Sequence, residues 1–210
     1  MPLEVQCHTV GPVQANCYSL VDADTAGAVL VDPGAEAPRL LAALSEQTAQ
    51  LQAIWLTHAH FDHVGALADI LEANPVPVYM HPSDEPLLAH AAASAAQWGI
   101  PLRQPPVDYR AIADGDTLTL GNLSAACLHT PGHAPGHIAF HLAELSTVFS
   151  GDALFHASIG RTDLPFGDHR QLIESIKSKL LTLPGATAVL PGHGPETTIE
   201  HEARTNAFLK

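Results

Sequence analysis

The chain has 210 residues, room for one domain with a sizeable core, and 46% hydrophobic with only 15% charged residues is too apolar for a disordered polymer. Nine basic residues against 22 acidic ones leave a formal charge of −13. Phosphate binding needs a basic face, so this balance argues against a nucleic-acid partner.

Residues 3–32 read as a β-meander, with strands at Val5–Val10, Asn16–Val21 and Ala28–Val31 and turns at Gly11-Pro12 and Ala26-Gly27. Asp32-Pro33-Gly34 ends the third strand. Ala37–Gln47 carries leucines at 40, 41 and 44, a helical stripe. Next comes a buried strand through Leu51, Ile54, Trp55 and Leu56, which breaks into four potential metal ligands within six residues: His58, His60, Asp62 and His63. In extended chain, side chains two apart share a face, so His58 and His60 point together at one ion. Asp62 and His63 are adjacent as the chain turns into a helix starting near Val64, so they cannot both join that face, and a second ion is the economical solution. Imidazoles with a carboxylate suit a divalent metal of the zinc or iron type.

Further on, Val76–Met80 reads as a strand and Ser83–Gln97 as an alanine-rich helix with Ser83 as its N-cap. Gly99–Val107 holds three prolines and reads as irregular surface, a lid or loop over a cleft. Thr117–Leu120 and Leu123–Leu128 flank Gly121-Asn122 as a hairpin. His129-Thr-Pro-Gly-His133-Ala-Pro-Gly-His137 follows, where Gly132 lets an imidazole project from a tight turn. Strands at Ile138–Leu142 and Thr147–Phe149 lead into Gly151-Asp152, whose carboxylate can bridge two cations as a neutral imidazole cannot. Asp168 is placed to cap a helix over His169–Leu181. A strand at Thr187–Leu190 ends in Pro191-Gly192-His193, and a helix over Thr198–Phe208 closes the chain. His81 and His90 have no partner spacing and read as structural, while His156 lies four residues past Asp152, within reach of a cleft mouth. Each half contains strand, ligand loop and helix. That order predicts an α/β fold of four αββα layers, two mixed sheets with helices on the outer faces, as a single domain over 1–210.

Three widely spaced cysteines, Cys7, Cys17 and Cys127, form no C-x-x-C and point to buried thiols in a reducing compartment. The N-terminus has no basic stretch ahead of an apolar core, and no apolar run approaches membrane-spanning length. The expectation is a cytoplasmic protein without a membrane partner.

His58-Ala-His60-Phe-Asp62-His63 resembles the H-x-H-x-D-H signature of the metallo-β-lactamase superfamily, and the later motifs follow that family's order. The resemblance implies the same αββα fold and two divalent ions, zinc or iron, with manganese as an alternative. It assigns His58, His60, His133 and Asp152 to one ion, and Asp62, His63, His193 and Asp152 to the other. It further implies that Asp32 supports a ligand histidine from behind, and it leaves His129 and His137 as supporting or structural residues. Two such ions make hydroxide available near neutral pH, and Asp62 can aim it.

Within the superfamily the whole chain resembles the short bacterial relatives of glyoxalase II, the hydroxyacylglutathione hydrolases. A basic residue nine past the bridging aspartate helps that group bind glutathione, and Arg161 occupies the place. The implied activity is hydrolysis of an anionic thioester of the S-lactoylglutathione type by a metal-bridging hydroxide. Where that group has tyrosines this chain has Asp163 and Pro195, and it ends at Lys210 without the C-terminal helical domain of longer glyoxalases II. Gly160-Arg161-Thr162-Asp163 also resembles persulfide dioxygenases, single-iron relatives acting on glutathione persulfide. A non-catalytic metal-binding module is the remaining reading, and it would be expected to have lost ligands.

Overall fold

The computed structural model describes residues 3–210, which gather into two compact units. One runs through Ala111 and includes Leu120–Asn122; the other comprises Ile112–Thr119 and Leu123–Lys210.

The first unit is built on a six-stranded mixed sheet. Strands β1 (Leu3–Val10), β2 (Ala15–Asp22) and β3 (Gly27–Val31) form an antiparallel meander. The sheet then continues parallel through β4 (Gln50–Trp55), β5 (Val78–Met80) and the two-residue β6 (Arg110–Ala111). Parallel neighbours need crossovers, and helices supply them. Helix α1 (Ala37–Glu46) links β3 to β4, α2 (Phe61–Val64) with α3 (Leu67–Ala73) links β4 to β5, and α4 (Glu85–Ala89) with α5 (Ala91–Gln97) links β5 to β6. The leucine stripe of α1 meets the sheet in a core that includes Leu30, Leu40, Leu44, Ile54, Leu67, Ile70 and Met80.

The second unit carries a sheet in the order β14-β13-β10-β9-β8-β7. Its strands are β7 (Thr117–Leu120), β8 (Leu123–His129), β9 (Ile138–Leu142), β10 (Thr147–Gly151), β13 (Ala188–Pro191) and β14 (Thr197–Thr198). A small hairpin, β11 (Leu154–Phe155) with β12 (Ser158–Ile159), stands apart from that sheet. Strands β10 and β13 pair in parallel, and α6 (His169–Ser175), prolonged by one π turn over Ile176–Leu180, makes their crossover. Helix α6 and the last helix α7 (Ile199–Thr205) bury Leu172, Ile176, Leu180 and Ile199 with Val148 and Val189 of the sheet.

Several elements differ from the sequence reading. The helix after the His-rich stretch begins at Phe61 rather than Val64 and breaks at Gly65-Ala66. The alanine-rich run is two helices, not one, because the His90 ring bonds the Pro86 carbonyl (Nδ1···O 2.8 Å) in competition with the backbone ladder. Ser83 is no N-cap there: it lies inside a 3-10 turn, Pro82–Asp84, capped by the His81 ring. The last helix stops at Thr205, since Asn206 turns extended and its side chain accepts from Phe208 N. Strands β6, β11, β12 and β14 are two residues each, too short for a period-two signal. Asp168 caps α6 as read, accepting from Gln171 N at 2.9 Å.

Candidate metal centre

The candidate ligands sit where chain physics favours a site. In sheets with parallel pairs, loops beyond the carboxyl ends of strands are free to carry function. Asp32 follows β3, His58 and His60 follow β4, Asp152 follows β10, and His193 follows β13.

In the first unit three imidazoles converge. The His58 ring lies 4.1 Å from that of His63 and 4.8 Å, edge-on, from that of His60, centroid to centroid. Asp62 and His63 lie within the α2 turn, not in a loop before it, and Asp62 Oδ2 is 3.7 Å from His63 Nε2. Behind the rings is a buried carboxylate, Asp32, held with φ 53° in the left-handed region that aspartate tolerates. Its Oδ1 accepts from Thr57 N at 2.7 Å, and its Oδ2 accepts from the Thr57 hydroxyl at 2.6 Å and faces His63 Nδ1 at 3.1 Å. The Thr57 hydroxyl has one proton, and the carboxylate takes it. The oxygen therefore accepts from His58 Nδ1, 3.0 Å away. Both His58 and His63 therefore carry the proton on Nδ1 and the ring lone pair on Nε2, the tautomer a cation would need.

Two glycines hold this arrangement. A Cβ on Gly34 would lie 1.6 Å from Asp62 O, and one on Gly65 would lie 2.2 Å from Gly34 O, so the Pro33-Gly34 segment can press against α2 only without side chains. The sequence reading missed two supports. Thr57 relays Asp32 to His58. Asp84, fully buried, accepts from Ala59 N at 3.0 Å and so fixes the backbone between His58 and His60.

In the second unit His133 projects from the turn after β8, where Gly132 (φ 131°) packs so close to α6 that a Cβ would lie 2.2 Å from Leu172 N. His133 Nδ1 donates to the Arg161 carbonyl at 2.7 Å, which places the ring proton on Nδ1 here too. Asp152 Oδ2 lies 3.5 Å from His133 Nε2 and 3.6 Å from His193 Nε2. Two donors on one tetrahedral zinc, each about 2.0–2.1 Å from it, stand about 3.3 Å apart, so these separations fit a shared ion. Both ring nitrogens of His137 are engaged: Nδ1 with Thr130 Oγ1 at 2.7 Å, and Nε2 accepting from Asp152 N at 3.0 Å. His137 therefore orients the Asp152 backbone instead of coordinating. His129 bonds the Pro135 carbonyl, and His156 stacks on His201 with centroids 5.3 Å apart.

Arg161 anchors His133 through its backbone, but its half-exposed guanidinium is paired. Nε and Nη2 each reach a separate oxygen of Asp163 at 2.8 Å, and the pair holds the Asp163 carboxyl down at about 2.

Comparisons with known proteins agree with this donor chemistry. A sequence model of the metallo-beta-lactamase superfamily matches residues 10–193. The chain is 42% identical over 202 residues to a probable metallo-hydrolase, YqgX, of Bacillus subtilis, covering 95% of this chain and 94% of that one. It is 38% identical over 209 residues to hydroxyacylglutathione hydrolase GloC of Haemophilus influenzae, covering 99% and 98%. Among solved structures, TTHA1623 in a di-iron-bound form superposes with a TM-score of 0.90 at 48% identity, covering 98% of this chain and all of that one. The BLEG-1 B3 metallo-beta-lactamase gives 0.91 at 40% identity, covering 98% and 99%. Among the described residues, no helix is long and apolar enough to cross a membrane.

Proposed function

Because this chain belongs to the metallo-beta-lactamase superfamily, with its fold of two mixed sheets and helices, we propose that it is a dinuclear metal hydrolase cleaving thioesters of the S-2-hydroxyacylglutathione type. The observation that carries the thioester reading is the likeness to GloC along nearly the whole of both chains. The family relationship and the donor spacing support the metals. In this reading His58, His60, His133 and Asp152 hold one ion, Asp62, His63, His193 and Asp152 hold the other, and zinc or iron fills both. Two divalent ions there would lower the pKa of a shared water to near neutrality and polarise the thioester carbonyl.

The chain's own residues do the rest. Asp32 and Thr57 keep the His63 and His58 rings in the tautomer that leaves Nε2 available, and the Arg161 carbonyl does the same for His133. Asp62, partly exposed beside His63, is the carboxylate able to accept a proton from the attacking water and aim it. The Arg161 guanidinium is the nearest cation in sequence for an anionic substrate, and Asp163 competes for it. A second reading, a single-iron dioxygenase acting on glutathione persulfide, is favoured by Gly160-Arg161-Thr162-Asp163.

Metal content per chain, measured together with thiol release from S-lactoylglutathione, separates the two. About two metals and free thiol support the hydrolase. One iron, no thiol, and oxygen uptake with glutathione persulfide would replace it with the dioxygenase.

A further inference from the structure

The first unit holds a cavity of about 200 Å³ that ends against Asp62. Its walls come from the β1–β2 turn (Val13), the start of α2 (Phe61) and the proline-rich loop after α5 (Ile100, Leu102), with buried Val10 between them. Ion pairs fasten both walls. On one side Glu36 accepts from Gly11 N at 2.9 Å and from Arg39 at 2.8 Å, while Arg39 also donates to the Thr9 carbonyl at 3.0 Å, tying the turn to α1. On the other side Arg103 donates to Asp69 at 3.1 Å and to Glu72, tying the loop to α3. Gln104 ties the same loop to the helices before it, donating to the Leu88 carbonyl at 2.7 Å and accepting from Ala92 N at 3.1 Å.

The charges around this cavity decide what it can hold. Arg103 lines it and Arg39 stands next to it, and both already face carboxylates. A ligand anion would have to displace those partners, and a ligand cation would find Asp62 already committed to the reaction centre. Glu36, Asp69 and Arg103 also line it, each exposed and held in an ion pair, and the rest of the wall is mostly apolar side chains, Val13, Phe61, Ile100 and Leu102 half-buried, beside the carboxylate next to the chemistry. Glutathione is charged at both ends, so of an acyl-glutathione only the acyl chain suits such walls.

We infer that this cavity is an acyl-chain subsite: it receives the apolar tail of the acyl group and makes the protein selective for acyl chains longer than lactoyl. The inference rests on the reading of Asp62 as part of the reaction centre. A methylene removed from water gains roughly fourfold in affinity, so burying two or three of them should yield about 10-fold or more.

Calorimetric titration of the metal-loaded protein with S-methylglutathione and S-hexylglutathione tests this, the alkyl thioether standing in for the acyl chain. S-hexylglutathione should bind at least ~10-fold more tightly than S-methylglutathione. Val13→Trp, which fills the mouth from an exposed turn, and Ile100→Glu, which places a charge in the wall, should each bring that ratio towards one. A wild-type ratio below about threefold, no binding of either thioether, or a ratio unchanged in both variants would overturn the subsite. Thiol release from S-lactoylglutathione is scored separately. Its absence with the hexyl preference intact would remove the hydrolase and leave the subsite standing.

Discussion

Replacing Asp32 with asparagine tests how the histidines are held. The amide has nearly the shape of the carboxylate and tolerates the left-handed φ of 53° at this position. What changes is the number of acceptors. Asp32 faces three N–H or O–H groups: Thr57 N at 2.7 Å, Thr57 Oγ1 at 2.6 Å and His63 Nδ1 at 3.1 Å. If the new amide oxygen keeps Thr57 N, its NH2 group meets the hydroxyl and His63 Nδ1. The Thr57 hydroxyl must then turn its proton to His58 Nδ1, and both imidazoles are driven to carry their own proton on Nε2, the coordinating atom. If the amide is reversed, its NH2 group faces Thr57 N–H inside the protein, at about 1–3 kcal/mol for the unmade bond. Loss of such an outer support typically costs 10–100-fold in metal affinity, about 1.4–2.8 kcal/mol. Because two rings are affected, Asp32→Asn should fall at the upper end of that range. Competition with a chromophoric chelator for zinc reads the affinity, and nitrogen NMR of the imidazoles reads the tautomer directly. Zinc affinity within threefold of wild type in a folded variant with Nδ1 still protonated would refute the reasoning.

Asp152→Asn should remove at least one metal per chain and lower thiol release ~100-fold or more, since its Oδ2 lies within reach of both His133 and His193. Full metal content would dismiss it as the bridging group. Asp163→Asn releases the Arg161 guanidinium and should lower KM for S-lactoylglutathione by roughly 3–10-fold, whereas Arg161→Ala should raise KM with little effect on kcat. Matching kcat losses in the two variants would argue against any substrate contact by this arginine. Glu202→Ala removes a fully buried carboxylate that accepts from Ala157 N at 3.0 Å, Thr197 Oγ1 at 2.7 Å and Asn206 Nδ2 at 2.8 Å. Urea denaturation should report about 3–5 kcal/mol of lost stability, and a loss under about 1 kcal/mol would mean water replaces the carboxylate.

The candidate ligands were legible, and so was Asp32 behind them, but Thr57, Asp84 and the Arg161 carbonyl were not, for a physical reason. A metal ligand must come from a few residue types, and projection from a strand end constrains spacing, so His58, His60, Asp62 and His63 announce themselves in six positions. A support needs only an acceptor near 3 Å, supplied from anywhere in the chain. Asp84 holds Ala59 across 25 residues of sequence and looks, from sequence alone, like an ordinary acid at a helix start. Thr57 looks like the last polar residue of a strand until the single proton on its hydroxyl is placed between Asp32 and His58. The main-chain oxygen of Arg161 carries no side-chain signature at all, yet it sets the His133 tautomer. The break in the alanine-rich helix was hidden in the same way: it lies in a run of good helix formers and comes from a His90 ring bonding a carbonyl four residues back. Ligand substitutions should therefore remove metal outright. Substitutions at Asp32, Thr57 or Asp84 should weaken binding by degrees, because each acts through a proton or a backbone angle and not through a bond to the ion.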